Sequence, residues 1–154
     1  MTENDLSFST RRRILLIQLI YSLDINCSEV AFLNERTILE VVNNALSVSR
    51  HRARYDNKTS DTDIKIILEL IGKLSTLDEI ILQTCDRESR ERLSKVVFAI
   101  LRVGIYELKY GQHKYSIGNI IKDYLNIAVA LDHSPESGFI NGILDKAYSV
   151  ATSA

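Results

Sequence analysis

Residues Leu93 to Tyr110 constrain this chain more than any other stretch. Apolar residues fall at Leu93, Val96, Val97, Ile100, Leu101, Ile105 and Leu108, the three-and-four spacing of a buried helical face. Phe98, Ala99 and Val103 fill most of the other side, so little polar circumference remains. A helix of that kind must be wrapped by others, which makes it the centre of a bundle. Arg102 and Glu107 lie inside the run, and a buried charge without a partner is costly. Both are read as structural ion pairs with neighbouring helices. Gly104, unfavourable within a helix, marks a close approach of a second one.

The same periodicity organises the flanks. Ser9 or Thr10 caps a first helix that begins Arg11-Arg12-Arg13 and runs to Asn26. A second helix is expected from Asn34 to Val48. Residues 49–62 turn polar and basic around Tyr55 and read as a loop insertion, solvated or in contact with RNA. Asp61 or Asp63 opens a third helix through Ile64, Ile67, Leu68, Ile71 and Leu74, carried on to Cys85 after a bend near Gly72 or Ser75. The charged run Asp86 to Arg92 reads as a solvated first turn of the central helix, and Gly111 as its C-cap. A fifth helix starts at Ser116, and Asp132-His133 makes the next turn. Ser134-Pro135-Glu136 is a start signal for the last helix, which keeps helical spacing through Ile140, Ile143, Leu144 and Ala147. Asn141-Gly142 sits inside it and needs a reason, either close packing or a surface where something approaches the backbone. One proline and six glycines agree with an all-α fold. Residues 1–154 then form a single domain with a loose arm at 1–8.

Function classes fall away in turn. The three histidines, His51, His113 and His133, lie in loops without partners at metal or triad spacing. No glycine-rich loop follows a strand, so no nucleotide site of that kind is expected. Cys27 and Cys85 fit neither a disulfide framework nor a metal spacing. No cofactor, metal or catalytic residue is expected, and the chain reads as a binding module. The first ten residues are polar and acidic, unlike a signal peptide, and the apolar run from Ile14 is too short to span a membrane. A soluble, cytoplasmic protein is expected. With a formal net charge of −1, nucleic acid could be held only by a local patch. Arg11, Arg12 and Arg13 are such a patch, at the positive end of a helix, with a solvated arginine cluster as the alternative.

Two segments resemble the NusB family of bacterial transcription antitermination factors. The first is Arg11-Arg12-Arg13 followed by Gln18, Ile20 and Tyr21. The second is Ile100-Leu101-Arg102, then Tyr106-Glu107-Leu108, then Phe139-Ile140-Asn141-Gly142-Ile143-Leu144-Asp145-Lys146. The family commonly has Ile-Asn-Glu in its fifth helix, where this chain has Ile121-Lys122-Asp123. The resemblance implies two packed helical sub-bundles. It also implies binding of boxA-type nascent RNA together with the ribosomal protein NusE, within the RNA polymerase antitermination complex on ribosomal RNA operons. The residue chemistry agrees, because single-stranded RNA is held by cations on phosphates and aromatics on bases.

On that reading Arg11, Arg12 and Arg13 clamp phosphate. Tyr21 and Phe139 stack on bases if the first and last helices lie side by side, and both read equally as core residues. Gln18 and Asn141 offer hydrogen bonds, Gly142 lets backbone approach, and Lys146 is a phosphate contact or a solvated cation. Asp145 reads as an ion-pair partner, of Arg102 for example. Monomer and homodimer remain open. The alternatives are a protein-only helical adaptor and a free-standing equivalent of the NusB-like domain that precedes some ribosomal RNA cytosine methyltransferases.

Overall fold

The computed structural model describes residues 9–26, 40, 61–111 and 116–152, which form helices and no strand. In chain order these are α1 (Thr10–Asn26), α2 (Asp61–Gly72), α3 (Leu74–Thr84), the short α4 (Arg87–Glu91), α5 (Lys95–Tyr110), α6 (Ile117–Ala130) and, after a 3-10 turn at Ser134–Glu136, α7 (Ser137–Thr152). The arm at 1–8, the helix expected over 34–48 (apart from Glu40) and the polar segment 49–60 lie outside the described residues, as do Cys27, His51 and His113. Asp61 and Thr62, assigned on sequence to the end of the insertion, already belong to α2.

α5 is the axis of the fold. Val97, Ala99, Ile100, Leu101, Val103, Gly104, Ile105, Tyr106, Glu107 and Leu108 are all buried on it. Each large apolar side chain among them is worth about 1.5–3 kcal/mol when fully removed from water. Around this axis the neighbours follow one another as α1, α6, α7 and α3, each packed on α5 and on the next in that order. The buried residues join in one continuous core. α1 and α5 run antiparallel, because Arg13 near the start of α1 meets Glu107 while Asp24 near its end meets Lys95.

The boundaries have local causes. Ser9 accepts from the Arg12 N–H at 3.1 Å and opens α1. Lys73, outside helical geometry, separates α2 from α3. The charged run after Asp86 does not continue into the central helix; it forms α4, whose Ser89 N–H bonds the Asp86 carboxylate at 2.7 Å. α5 then starts afresh, with the Ser94 hydroxyl accepting from the Val97 N–H at 3.1 Å, a cap worth about 1 kcal/mol. After α6 the chain turns through Asp132 at φ 64°. His133 N–H reaches Ala128 O at 2.8 Å and Asp132 N–H reaches Val129 O at 3.1 Å, the double bond of a Schellman turn.

Gly104 is a helix–helix contact. A Cβ built there would lie 2.9 Å from Leu144 Cδ2, so a larger residue would force the fully buried Leu144 side chain to shift. Among the described residues no helix is long and apolar enough to cross a membrane.

Candidate nucleic-acid interface

A helix turns about 100° per residue, so three consecutive side chains cannot share a face. The arginines at the start of α1 therefore diverge. Arg11 is exposed. Arg12 is largely covered and gives its Nε to the Asp63 carboxylate at 2.7 Å. Arg13 is turned into the core, with only 3% of its surface accessible. It forks onto Glu107, Nε to Oε1 at 2.8 Å and Nη2 to Oε2 at 2.7 Å, and its Nη1 reaches Asp123 at 3.0 Å. Burial works against its charge, but the hydrogen bonds and charge of Glu107, with Tyr124 and Asp123 adding to them, hold its pKa above the ordinary range. This corrects the expectation of a three-arginine phosphate clamp: Arg13 is a strut joining α1, α5 and α6.

Tyr124 completes that strut. Its hydroxyl donates to Glu107 Oε1 at 2.7 Å, and its ring lies 5.4 Å from the Arg13 guanidinium. Burial, then the charge of Glu107, push the phenol well above its usual pKa. Arg102 is held separately, bidentate to Asp78 at 2.9 Å for both bonds and stacked 4.2 Å above the Phe98 ring. Asp78 is therefore the main carboxylate of Arg102, with Asp24 Oδ1 a looser partner 3.9 Å from Nη1. Asp145 is exposed on α7.

The remaining candidates lie on two separate stripes. On α1, Arg11, Gln18 and Tyr21 recur at about two-turn and three-turn spacing; the first two are exposed and Tyr21 is half-buried against the core edge. On α7, Phe139, Gly142 and Lys146 fall at i, i+3 and i+7 and form one line. Phe139 is half-buried, and Lys146 is exposed. Asn141 is exposed too, but two residues from Phe139 it projects elsewhere. α6 packs against both α1 and α7, the helices that carry Tyr21 and Phe139. Among the described residues a Cβ at Gly142 would meet nothing within 4 Å, so close packing among them does not account for this glycine.

A sequence model of the NusB family matches residues 10–149. The chain belongs to the NusB family. Curated relatives named "Transcription antitermination protein NusB" include one from Borreliella afzelii, 30% identical over 135 residues that span 86% of this chain and 91% of the relative. Another, from Campylobacter concisus, is 27% identical over 90% of this chain and 95% of the relative. A third, from Caulobacter vibrioides, reaches 44% identity over 55 residues, 36% of each chain.

In this member of the NusB family the Leu-Arg and Tyr-Glu-Leu motifs of α5 are structural. They supply Arg102 for Asp78 on α3 and Glu107 for Arg13 on α1. Asp123, the acid kept where the family commonly has Ile-Asn-Glu, is the second carboxylate on Arg13. Asp63, Asp78 and Asp123 were not foreseen from sequence; each partner lies 24 to 110 residues from its arginine, beyond the reach of any local pattern. At the end of the bundle away from Arg13, a cleft of about 330 Å³ is lined by Asp24, Asp78, Glu91, Leu93, Lys95, Phe98 and Arg102. Three acids against two bases make that cleft a poor seat for phosphate.

Proposed function

We propose that this chain is a transcription antitermination factor that binds boxA-type single-stranded RNA together with the ribosomal protein NusE. In this reading it is a binding protein and not an enzyme, and the complex promotes read-through by RNA polymerase on ribosomal RNA operons. The observation that carries the RNA reading is Gly142. It sits in mid-helix with open space above it, beside half-buried Phe139 and exposed Lys146. Glycine costs about 1 kcal/mol against alanine in such a place, and no contact among the described residues recovers it. Approach of a ligand backbone does.

RNA contact is assigned to Arg11, Gln18 and Tyr21 on α1 and to Phe139, Asn141, Gly142 and Lys146 on α7. Arg12 contributes through the small part of its side chain that remains accessible. Arg13 acts only by fixing α1. The acid-leaning cleft at the opposite end offers a face of different character to a basic protein partner.

The test is a titration of fluorescent RNA bearing a boxA-type element against a scrambled control, with and without NusE. Preferred binding of the element, strengthened by NusE and falling with salt, supports the assignment. Phe139→Leu should weaken it by about 1–3 kcal/mol with little change in thermal stability. Equal affinity for both RNAs, unaffected by NusE, would leave a protein-only adaptor as the better account.

A further inference from the structure

The end of the bundle that carries Arg11 also carries a cluster that neither family motif includes. α5 ends at Lys109 and Tyr110, within one turn of Glu107, which is bonded to Arg13. The Lys73 ammonium, at the corner between α2 and α3, lies 5.3 Å from the Tyr110 ring centroid, and the Lys109 ammonium lies 5.4 Å from it. Tyr106 packs against the same ring, centroids 5.4 Å apart and tilted 40°. All three of Lys73, Lys109 and Tyr110 are half-buried, Tyr110 with part of its ring against the core. Glu69 accepts from the Tyr106 hydroxyl. Two cations thus converge on one partly accessible aromatic ring, Lys109 from its own helix and Lys73 from the corner between α2 and α3.

We propose that Lys73, Lys109 and Tyr110 form a second RNA-contact patch, which holds the strand where it continues past Arg11 across the end of α5. The inference rests on the RNA reading above. An exposed ammonium–ring contact is weak beside a charge-assisted hydrogen bond to phosphate. An arriving strand therefore draws both ammonium groups onto its phosphates and leaves the Tyr110 face open to a base. Cations on the backbone and an aromatic on the base are the two parts that sequence-tolerant single-strand binding requires. The patch extends the bound length and adds to affinity without adding to sequence preference.

The experiment uses the full chain and two fluorescent RNAs, a minimal boxA-type element and the same element with a uridine tail. Lys73→Gln with Lys109→Gln should lower affinity for the tailed RNA, leave the minimal RNA unchanged and reduce the salt slope by roughly 0.7 for each lysine. The chain has no tryptophan, so Tyr110→Trp places a single reporter in the patch, and its emission should change only with the tailed RNA. An unchanged slope with a silent tryptophan would overturn the proposal. So would a fall in melting temperature with RNA affinity intact, which would make the lysines a latch between helices. A tryptophan response to polyglutamate as strong as that to RNA would reassign the patch to an acidic protein. Failure of the RNA reading itself looks different, since the wild-type chain would then bind neither RNA and Arg11→Ala would change nothing.

Discussion

Arg13→Met separates the two roles open to the arginine run. The substitution keeps most of the side-chain volume and removes the charge. Glu107 is then left buried on α5, with the Tyr124 hydroxyl still bonded to it but no cation opposite. Breaking a buried pair from one side costs about 3–5 kcal/mol, because the surviving charge stays desolvated. For a chain of this size each kcal/mol lowers the melting temperature by about 2–4 °C, so a loss on the order of 6–20 °C is expected. Arg11→Ala, at an exposed position, should stay within about 0.5 kcal/mol of wild type. The double change Arg13→Met with Glu107→Met should recover much of the loss, since an apolar pair of similar volume often replaces a buried ion pair without penalty. Thermal melts by circular dichroism give the stabilities, and RNA anisotropy gives the binding of each variant. The reasoning fails if Arg13→Met melts like wild type and loses RNA affinity, because the guanidinium would then be facing RNA. Replacing all three arginines at once is a poor probe, as unfolding and lost contacts would be mixed.

Gly142→Ala should raise stability by up to about 1 kcal/mol, since the new methyl enters open space, and should weaken RNA binding; improved binding would refute the backbone approach. Gly104→Ala should do the opposite to stability. Overpacking against fully buried Leu144 costs about 1–3 kcal/mol. Better helix propensity returns about 1, so a urea titration should show a net loss. At alkaline pH, burial and the nearby acids raise Tyr124 and Tyr106 above their unfolded value of 10.0. Their contribution to stability is complete below that pH and is lost as pH rises above it, because the unfolded state releases the proton first. Tyr124→Phe should flatten the decline, and an identical alkaline profile in the variant would count against the buried phenol.

The helices could be read from the sequence because burial follows periodicity, and the periods of α1, α3, α5, α6 and α7 are complete. Arg13 shows what a motif can hide. It stands three, four, seven and ten residues before Leu16, Ile17, Ile20 and Leu23, all buried, so it lies on the core face. Arg11 keeps the spacing of exposed Gln18. That distinction was available in the sequence, and grouping three adjacent arginines as one patch passed over it. The start of α5 was placed too early, since the run Asp86 to Arg92 was read as its first turn while the capping hydroxyl is that of Ser94. The acids that hold the arginines were not legible, since Asp63, Asp78 and Asp123 come from other helices and only the packed bundle selects them. The order of helices around α5 was equally out of reach.

The central claim, antitermination through boxA-type RNA, is tested most directly by transcription in vitro. RNA polymerase transcribes a template with a terminator downstream of a boxA-type element, in the presence of NusE and the other antitermination factors, with this chain added or withheld. Read-through should rise when the chain is added, fall back when the element is scrambled, and be reduced by Phe139→Leu at unchanged stability. Read-through that ignores both the chain and the element, in a reaction where an authentic antitermination factor works, would contradict it.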